Sequence, residues 1–158
     1  WISNGNNVFC ENREGIRKKF DIEEKSHLSQ MTLVRSKNHG NEILDDLIQK
    51  LNFKKVVVMG SIGCKVASIL RGESDIYITL SLPGESAPKD WDFAAPESIL
   101  KASGGAITNL NNEELKYNSD NLMHSGIIVA TNNRKSHGEI CSQIKEVLKK
   151  YKIFPINY

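Results

Sequence analysis

Lys89-Asp90-Trp91-Asp92-Phe93-Ala94-Ala95-Pro96-Glu97 puts an aromatic and an acidic residue at the point where a loop becomes a helix. Ala94, Ala95, Ile99, Leu100 and Ala102 then supply small and apolar side chains suited to close packing. Pro96 has no N–H, which is tolerable in a first helical turn, where backbone N–H groups lack intrahelical partners. This places Asp92 at or beside the helix cap, near the positive end of the helix dipole. Two roles suit it there: a capping carboxylate behind a packed Trp91, or a carboxylate that ligates a metal. The choice depends on the chain around it.

Working outward, apolar strands alternate with helical stretches. Met31-Thr32-Leu33-Val34 reads as a buried strand, Val56-Val57-Val58-Met59 as another continuous apolar strand, and Asp75-Ile76-Tyr77-Ile78-Thr79-Leu80 as a third. Gly126 to Ala130 reads as a further long strand, and Ala106-Ile107-Thr108 as a short one. Ile43, Leu44, Leu47, Ile48 and Leu51 share one helical face, as do Ile140, Ile144, Val147, Leu148 and Tyr151 in a helix that Ser136 can cap. Gly72 closes one helix and Gly104-Gly105 another. The pattern predicts an α/β fold, a layered sheet-and-helix sandwich with a mostly parallel sheet. Residues 30–158 form this domain. Residues 1–29 read as short peripheral strands followed by a polar linker, because two short strands cannot make a core of their own.

The chain has 158 residues, 39% hydrophobic and 25% charged, enough for one domain with a real core. A net charge of +2 gives no footprint for a nucleic-acid polymer. No apolar run is long enough to span a membrane. Three scattered cysteines, Cys10, Cys64 and Cys141, give neither a disulfide framework nor zinc-site spacing, so reduced thiols and a cytoplasmic setting are expected. The first residue is Trp1 rather than Met, from which a fragment, processed product or trimmed chain is expected.

Open α/β sheets bind ligands outside the carboxyl ends of their strands. One loop there is Gly60-Ser61-Ile62-Gly63-Cys64-Lys65. Its glycines admit close backbone approach, the helix start attracts anions, Ser61 can donate a hydrogen bond and Lys65 adds positive charge. It reads equally as a phosphate site or as a plain turn with a solvated lysine. It is not a Walker loop, whose glycines are spaced more widely. Arg35-Ser36-Lys37-Asn38-His39 follows the first main-sheet strand and could hold an anion or be a solvated polar loop. His27, His124 and His137 carry no partner signal, and Cys64 reads as small filler.

Three elements in order, Gly60 to Lys65, Gly72 to Tyr77, and Lys89 to Glu97 with Gly104-Gly105 and the later Leu115-x-Tyr117, resemble the C-terminal half of the inositol monophosphatase superfamily. The similarity is closest to its 3′(2′),5′-bisphosphate nucleotidases of the sulfur-assimilation type. It extends over most of the chain and is weak before Gln30. The resemblance implies the C-terminal domain of that fold and a magnesium-dependent phosphatase acting on the 3′-phosphate of adenosine 3′,5′-bisphosphate. It implies that Asp92 ligates Mg2+ and that Ser61, Gly63 and Lys65 contact the nucleotide. Arg35 and Ser36 match a substrate-binding Arg-Ser-His segment of the family, and His39 fits it only with a local insertion. One departure is large: the family's upstream metal ligands, a Glu and an Asp-Pro-x-Asp-Gly-Thr motif, do not occur in these residues.

Phosphate monoesters have among the highest uncatalysed hydrolysis barriers, and one carboxylate leaves a magnesium site open. The expectation is therefore a substrate-side half whose missing partner is the N-terminal domain of the same protein, inactive alone. Two alternatives stand beside it: a non-catalytic nucleotide- or partner-binding half-fold, and an inositol or sugar phosphatase of the same superfamily.

Overall fold

The computed structural model describes residues 1–4, 7–19, 23–37, 41–82 and 84–153. Strands β1 (Ile2–Ser3), β2 (Val8–Glu11) and β3 (Arg17–Lys18) form a small antiparallel sheet in that order. A 3-10 turn, Leu28–Gln30, leads into β4 (Thr32–Ser36), α1 (Glu42–Leu51), β5 (Lys55–Met59), α2 (Ile62–Leu70) and β6 (Ile76–Ser81). After these come α3 (Asp90–Ala102), β7 (Ala106–Asn109), β8 (Gly126–Thr131) and α4 (Arg134–Tyr151). The main sheet has the order β5-β4-β6-β8-β7.

Strand alternation divides the core into two faces. Leu33, Ile76, Ile78, Leu80, Ile127 and Val129 point to α1 and α4, meeting Leu44, Leu47, Ile140, Ile144 and Leu148. Val34, Tyr77, Ile107, Ile128 and Ala130 point the other way, to Val66, Ile69, Phe93 and Leu100 of α2 and α3. Each fully buried large apolar side chain contributes roughly 1.5–3 kcal/mol. Trp1 is partly buried against the second cluster, and β1 packs on α3, so the small sheet lies over that helix layer.

Four expectations are corrected. The sheet is mixed rather than mostly parallel: β4 runs parallel to β5 and β6, but β8 is antiparallel to both β6 and β7. The β7–β8 connection carries no helix to cross the sheet, so β8 returns alongside its predecessor. Secondly, β5 is an edge strand, with Val56 and Val58 43% and 59% exposed. Its apolar run reads like a buried strand because the number of neighbours is a tertiary property. Thirdly, Pro96 lies in the interior of α3, well past the first turn, where it removes the bond to the Asp92 carbonyl. The last helix is capped by Asn133, whose side chain accepts from Lys135 N, rather than by Ser136.

Candidate functional site

A cavity of about 500 Å3 opens at the carboxyl ends of β4, β5 and β6, on the α2–α3 side of the sheet. Ser36, Ser61, Lys65 and Asp92 line it together. The loops of Gly60 to Lys65 and of Asp92 thus face one another across a single space.

Ser61 precedes α2 with φ 50 and ψ 137, a backbone conformation costly for a residue with a Cβ. Its side chain makes no capping bond, so its hydroxyl stays available to the cavity. One turn on, Lys65 is only 2% exposed, and its ammonium sits 5.1 Å from the centre of the Tyr77 ring. Burial lowers the Lys65 pKa, while Cys64 and Asp92 act in the opposite direction. Among the described residues no carboxylate reaches salt-bridge distance of this ammonium. A buried lysine held this way favours any arrangement that brings an anion to it.

Asp92 occupies the third position of α3. Its Oδ2 accepts the Lys89 N–H at 2.9 Å, a capping contact, while Oδ1 makes no hydrogen bond among the described residues. The capping and ligating roles therefore do not compete, since each can use a different oxygen. Trp91 is not packed behind it: the indole is 64% exposed, with the Lys89 ammonium 5.2 Å from its ring.

Several lining residues escape sequence reasoning. Tyr77, Thr79 and Ser81 alternate along β6 and present a phenol and two hydroxyls on the cavity side. Burial raises the Tyr77 pKa, and hydrogen bonds to Thr79 and Ser36 oppose it. The signal was present as Tyr-x-Thr-x-Ser at period two in an otherwise apolar strand. Asn41, Glu85 and Ser86 complete the polar wall. Gly63 lies in the first turn of α2 and is not a lining residue. Arg35 is turned to the opposite face, because it alternates with Ser36, and its guanidinium pairs with Asp45 of α1. His39 lies outside the described residues.

Behind Asp92, the β7–β8 connection crosses the start of α3. His124 N donates to Pro88 O at 2.8 Å, Asp90 N donates to Leu122 O at 3.0 Å, and Asn118 N donates to Asp90 Oδ2 at 2.8 Å. His124 Nε2 lies 2.8 Å from Asp90 Oδ1. Tyr117 donates a very short hydrogen bond to Glu97, which Lys101 also meets at 2.7 Å. Burial and the Glu97 carboxylate push the Tyr117 phenol far above its ordinary value.

The oxygen chemistry of this wall suits a hard cation such as magnesium, with Asp92 Oδ1 a carboxylate oxygen that makes no hydrogen bond among the described residues. The donor set is partial: among the described residues no three His, Cys, Asp or Glu side chains converge.

The sequence profile described as the Inositol monophosphatase family matches residues 1–149. The human 3′(2′),5′-bisphosphate nucleotidase 1 is 30% identical over 118 residues, covering 74% of this chain and 36% of that protein. Inositol monophosphatase 3 of Xenopus tropicalis is 28% identical, covering 85% of this chain and 36% of that protein. Inositol monophosphatase II of Staphylococcus aureus superposes with a TM-score of 0.62 at 24% identity, covering 87% of this chain and 49% of that structure. The chain thus spans about a third of the length of these curated relatives. No helix among the described residues is long and apolar enough to cross a membrane.

Proposed function

The chain belongs to the inositol monophosphatase family, and from that premise we propose that it forms the substrate-side part of a magnesium-dependent phosphatase. Its substrate is adenosine 3′,5′-bisphosphate, from which the 3′-phosphate is removed. The observation that supports this reading is Lys65: a buried ammonium over Tyr77, without a paired carboxylate among the described residues, opening on the cavity that Asp92 shares. Similarity to a bisphosphate nucleotidase supports the choice of substrate.

In this reading Lys65 and Ser61 bind anionic oxygens of the nucleotide, Ser36 adds a hydroxyl, and Thr79 and Ser81 orient the remainder. Asp92 Oδ1 holds the metal while Oδ2 keeps the helix start closed. Magnesium, when bound, polarises the phosphoryl group and activates water. The metal's other protein ligands lie outside these residues. The unpaired thiols of Cys10, Cys64 and Cys141 accord with a cytoplasmic setting. A second reading, an inositol phosphatase, is favoured by one observation: Glu85 lines the cavity and can accept the hydroxyls of a polyol.

The test is phosphate release by the complete protein that carries these residues. Lys65→Met should raise KM for adenosine 3′,5′-bisphosphate by about tenfold or more, the loss of one charge-assisted contact. Asp92→Asn should keep its melting temperature, since the amide oxygen can still cap, and lose most magnesium-dependent turnover. Unchanged kinetics in both variants would overturn the reading. Preference for inositol monophosphate over the nucleotide would select the second.

A further inference from the structure

The first turn of α3 is poorly equipped to hold itself. Its N-cap is Lys89, which has no side-chain acceptor for the orphan N–H groups. Pro96 deprives the Asp92 carbonyl of its helical donor. From within the helix, Asp92's own bond to Lys89 N secures the turn. Yet this turn carries the oxygen on which the proposed metal site depends.

Restraint arrives from outside the helix. The segment from Tyr117 to His124 lies across the turn as a strap. It bonds the backbone on both sides of Lys89, at Pro88 O and Asp90 N, bonds Asp90 Oδ2, and sets His124 Nε2 2.8 Å from Asp90 Oδ1. An isolated bridge between Lys89 and Met123 lies between those bonds. Lys89, whose N–H orients the Asp92 carboxylate, is thus pinned by its two neighbours.

His124 is the residue that joins these restraints. It is 7% exposed; its main chain bonds the turn, and its ring lies against the Asp90 carboxylate. The ring is wedged edge-on against Phe93 and Tyr117, each centroid 5.3 Å away. Tyr117 is anchored in turn on Glu97, one helical stretch further along α3. Asp90 Oδ1 and His124 Nε2 are both buried, 2.8 Å apart, and among the described residues neither has an aligned hydrogen-bond partner, so each is the other's only polar neighbour at that distance. Removing either leaves a buried polar atom with nothing to meet. Neither side chain lines the cavity.

We propose that His124, acting through Asp90, is a positioning residue that holds the first turn of α3 and thereby aims Asp92 Oδ1 at the metal. This rests on the functional reading above only for what Asp92 holds. The geometric part, that His124 orders residues 88–92, stands apart from it. Partners that orient a metal ligand typically affect metal affinity by about 10–100-fold when lost.

The experiment uses the complete protein with His124→Ala, His124→Gln and Asp90→Asn. His124→Gln keeps a donor near Asp90, and Asp90→Asn keeps the shape of its partner. Hydrogen exchange is followed by peptide across residues 88–92, with β4 and β6 as internal reference. His124→Ala should speed exchange at 88–92 by about tenfold and leave the sheet strands unchanged. It should raise the magnesium concentration for half-maximal turnover by about tenfold, with KM for the nucleotide within about twofold of wild type. His124→Gln should restore most of both effects.

Unchanged exchange at 88–92 in His124→Ala would overturn the proposal, as would faster exchange spread equally through the sheet. An ordered turn lost with no change in magnesium dependence would overturn the link to Asp92. If His124→Ala does not fold, the same comparison between His124→Gln and Asp90→Asn decides the matter. Failure of the functional reading shows separately, as normal kinetics in Lys65→Met and Asp92→Asn.

Discussion

His137 shows how much one residue can hide. It is 1% exposed, between the Thr108 and Thr131 hydroxyls at 2.7 and 2.8 Å. Thr108 donates to the Asn109 carbonyl, so it is placed to accept from Nε2–H, while the single Thr131 hydroxyl proton faces both Nδ1 at 2.8 Å and the Asn133 carbonyl at 3.3 Å. Both ring nitrogens lie against a threonine hydroxyl, and burial, helped by Arg134, pushes the His137 pKa down to about 4 from 6.5. The unfolded chain therefore binds the extra proton first as the pH falls. Stability should drop between about pH 6.5 and 4, by about 3 kcal/mol in total, and no further below that window on this account. Urea midpoints across the window check this: His137→Gln should have a flatter profile than wild type, and a parallel profile would reject it. Nothing in Ser136-His137-Gly138 announces this, because the two threonines come from different strands. That Ser61, Lys65 and Asp92 come to line one cavity was readable for the opposite reason: each belongs to a local loop-to-helix pattern. The burial of Lys65 was not, since the Tyr77 ring beneath it belongs to another strand.

Among the elements, α3 was the most legible and still held a surprise. Its end follows from Gly104-Gly105: Gly104 has φ +91, and Gly105 N closes on Leu100 O at 2.9 Å. A Cβ on Gly105 would meet the Thr131 carbonyl at 2.5 Å and Leu100 at 2.7 Å. Gly105→Ala should thus cost about 1–3 kcal/mol, as overpacking does. Gly138, inside α4, meets only the flexible Asn112 amide at 3.1 Å. Gly138→Ala should be neutral or stabilising by up to about 1 kcal/mol. Thermal melting of the two variants should separate them clearly; similar melts would count against the close approach at Gly105. The helix start was misread because Pro96 is tolerated in the interior, a context that local rules count as unfavourable. The edge character of β5 was invisible for a related reason: Val56-Val57-Val58 would suit a central strand equally well.

At the scale of the molecule, helices on both faces of a sheet were legible from alternating periods, and the reversal of β8 was not. Direction depends on how the long, helix-free β7–β8 connection travels, and its polar sequence does not record a path. The layered arrangement also bounds what the 158 residues can do by themselves. With Asp92 as the carboxylate proposed to hold the metal, the isolated chain should bind a phosphate ester without releasing phosphate. A phosphate-release assay on the chain alone checks this, and robust magnesium-dependent turnover would refute it. Another consequence comes from β1 resting on α3. A ribosome delivers β1, β2 and β3 well before α3, so the small sheet emerges without the surface that Trp1 and its neighbours cover. During synthesis the contact between β1 and α3 therefore forms only after the helix has emerged.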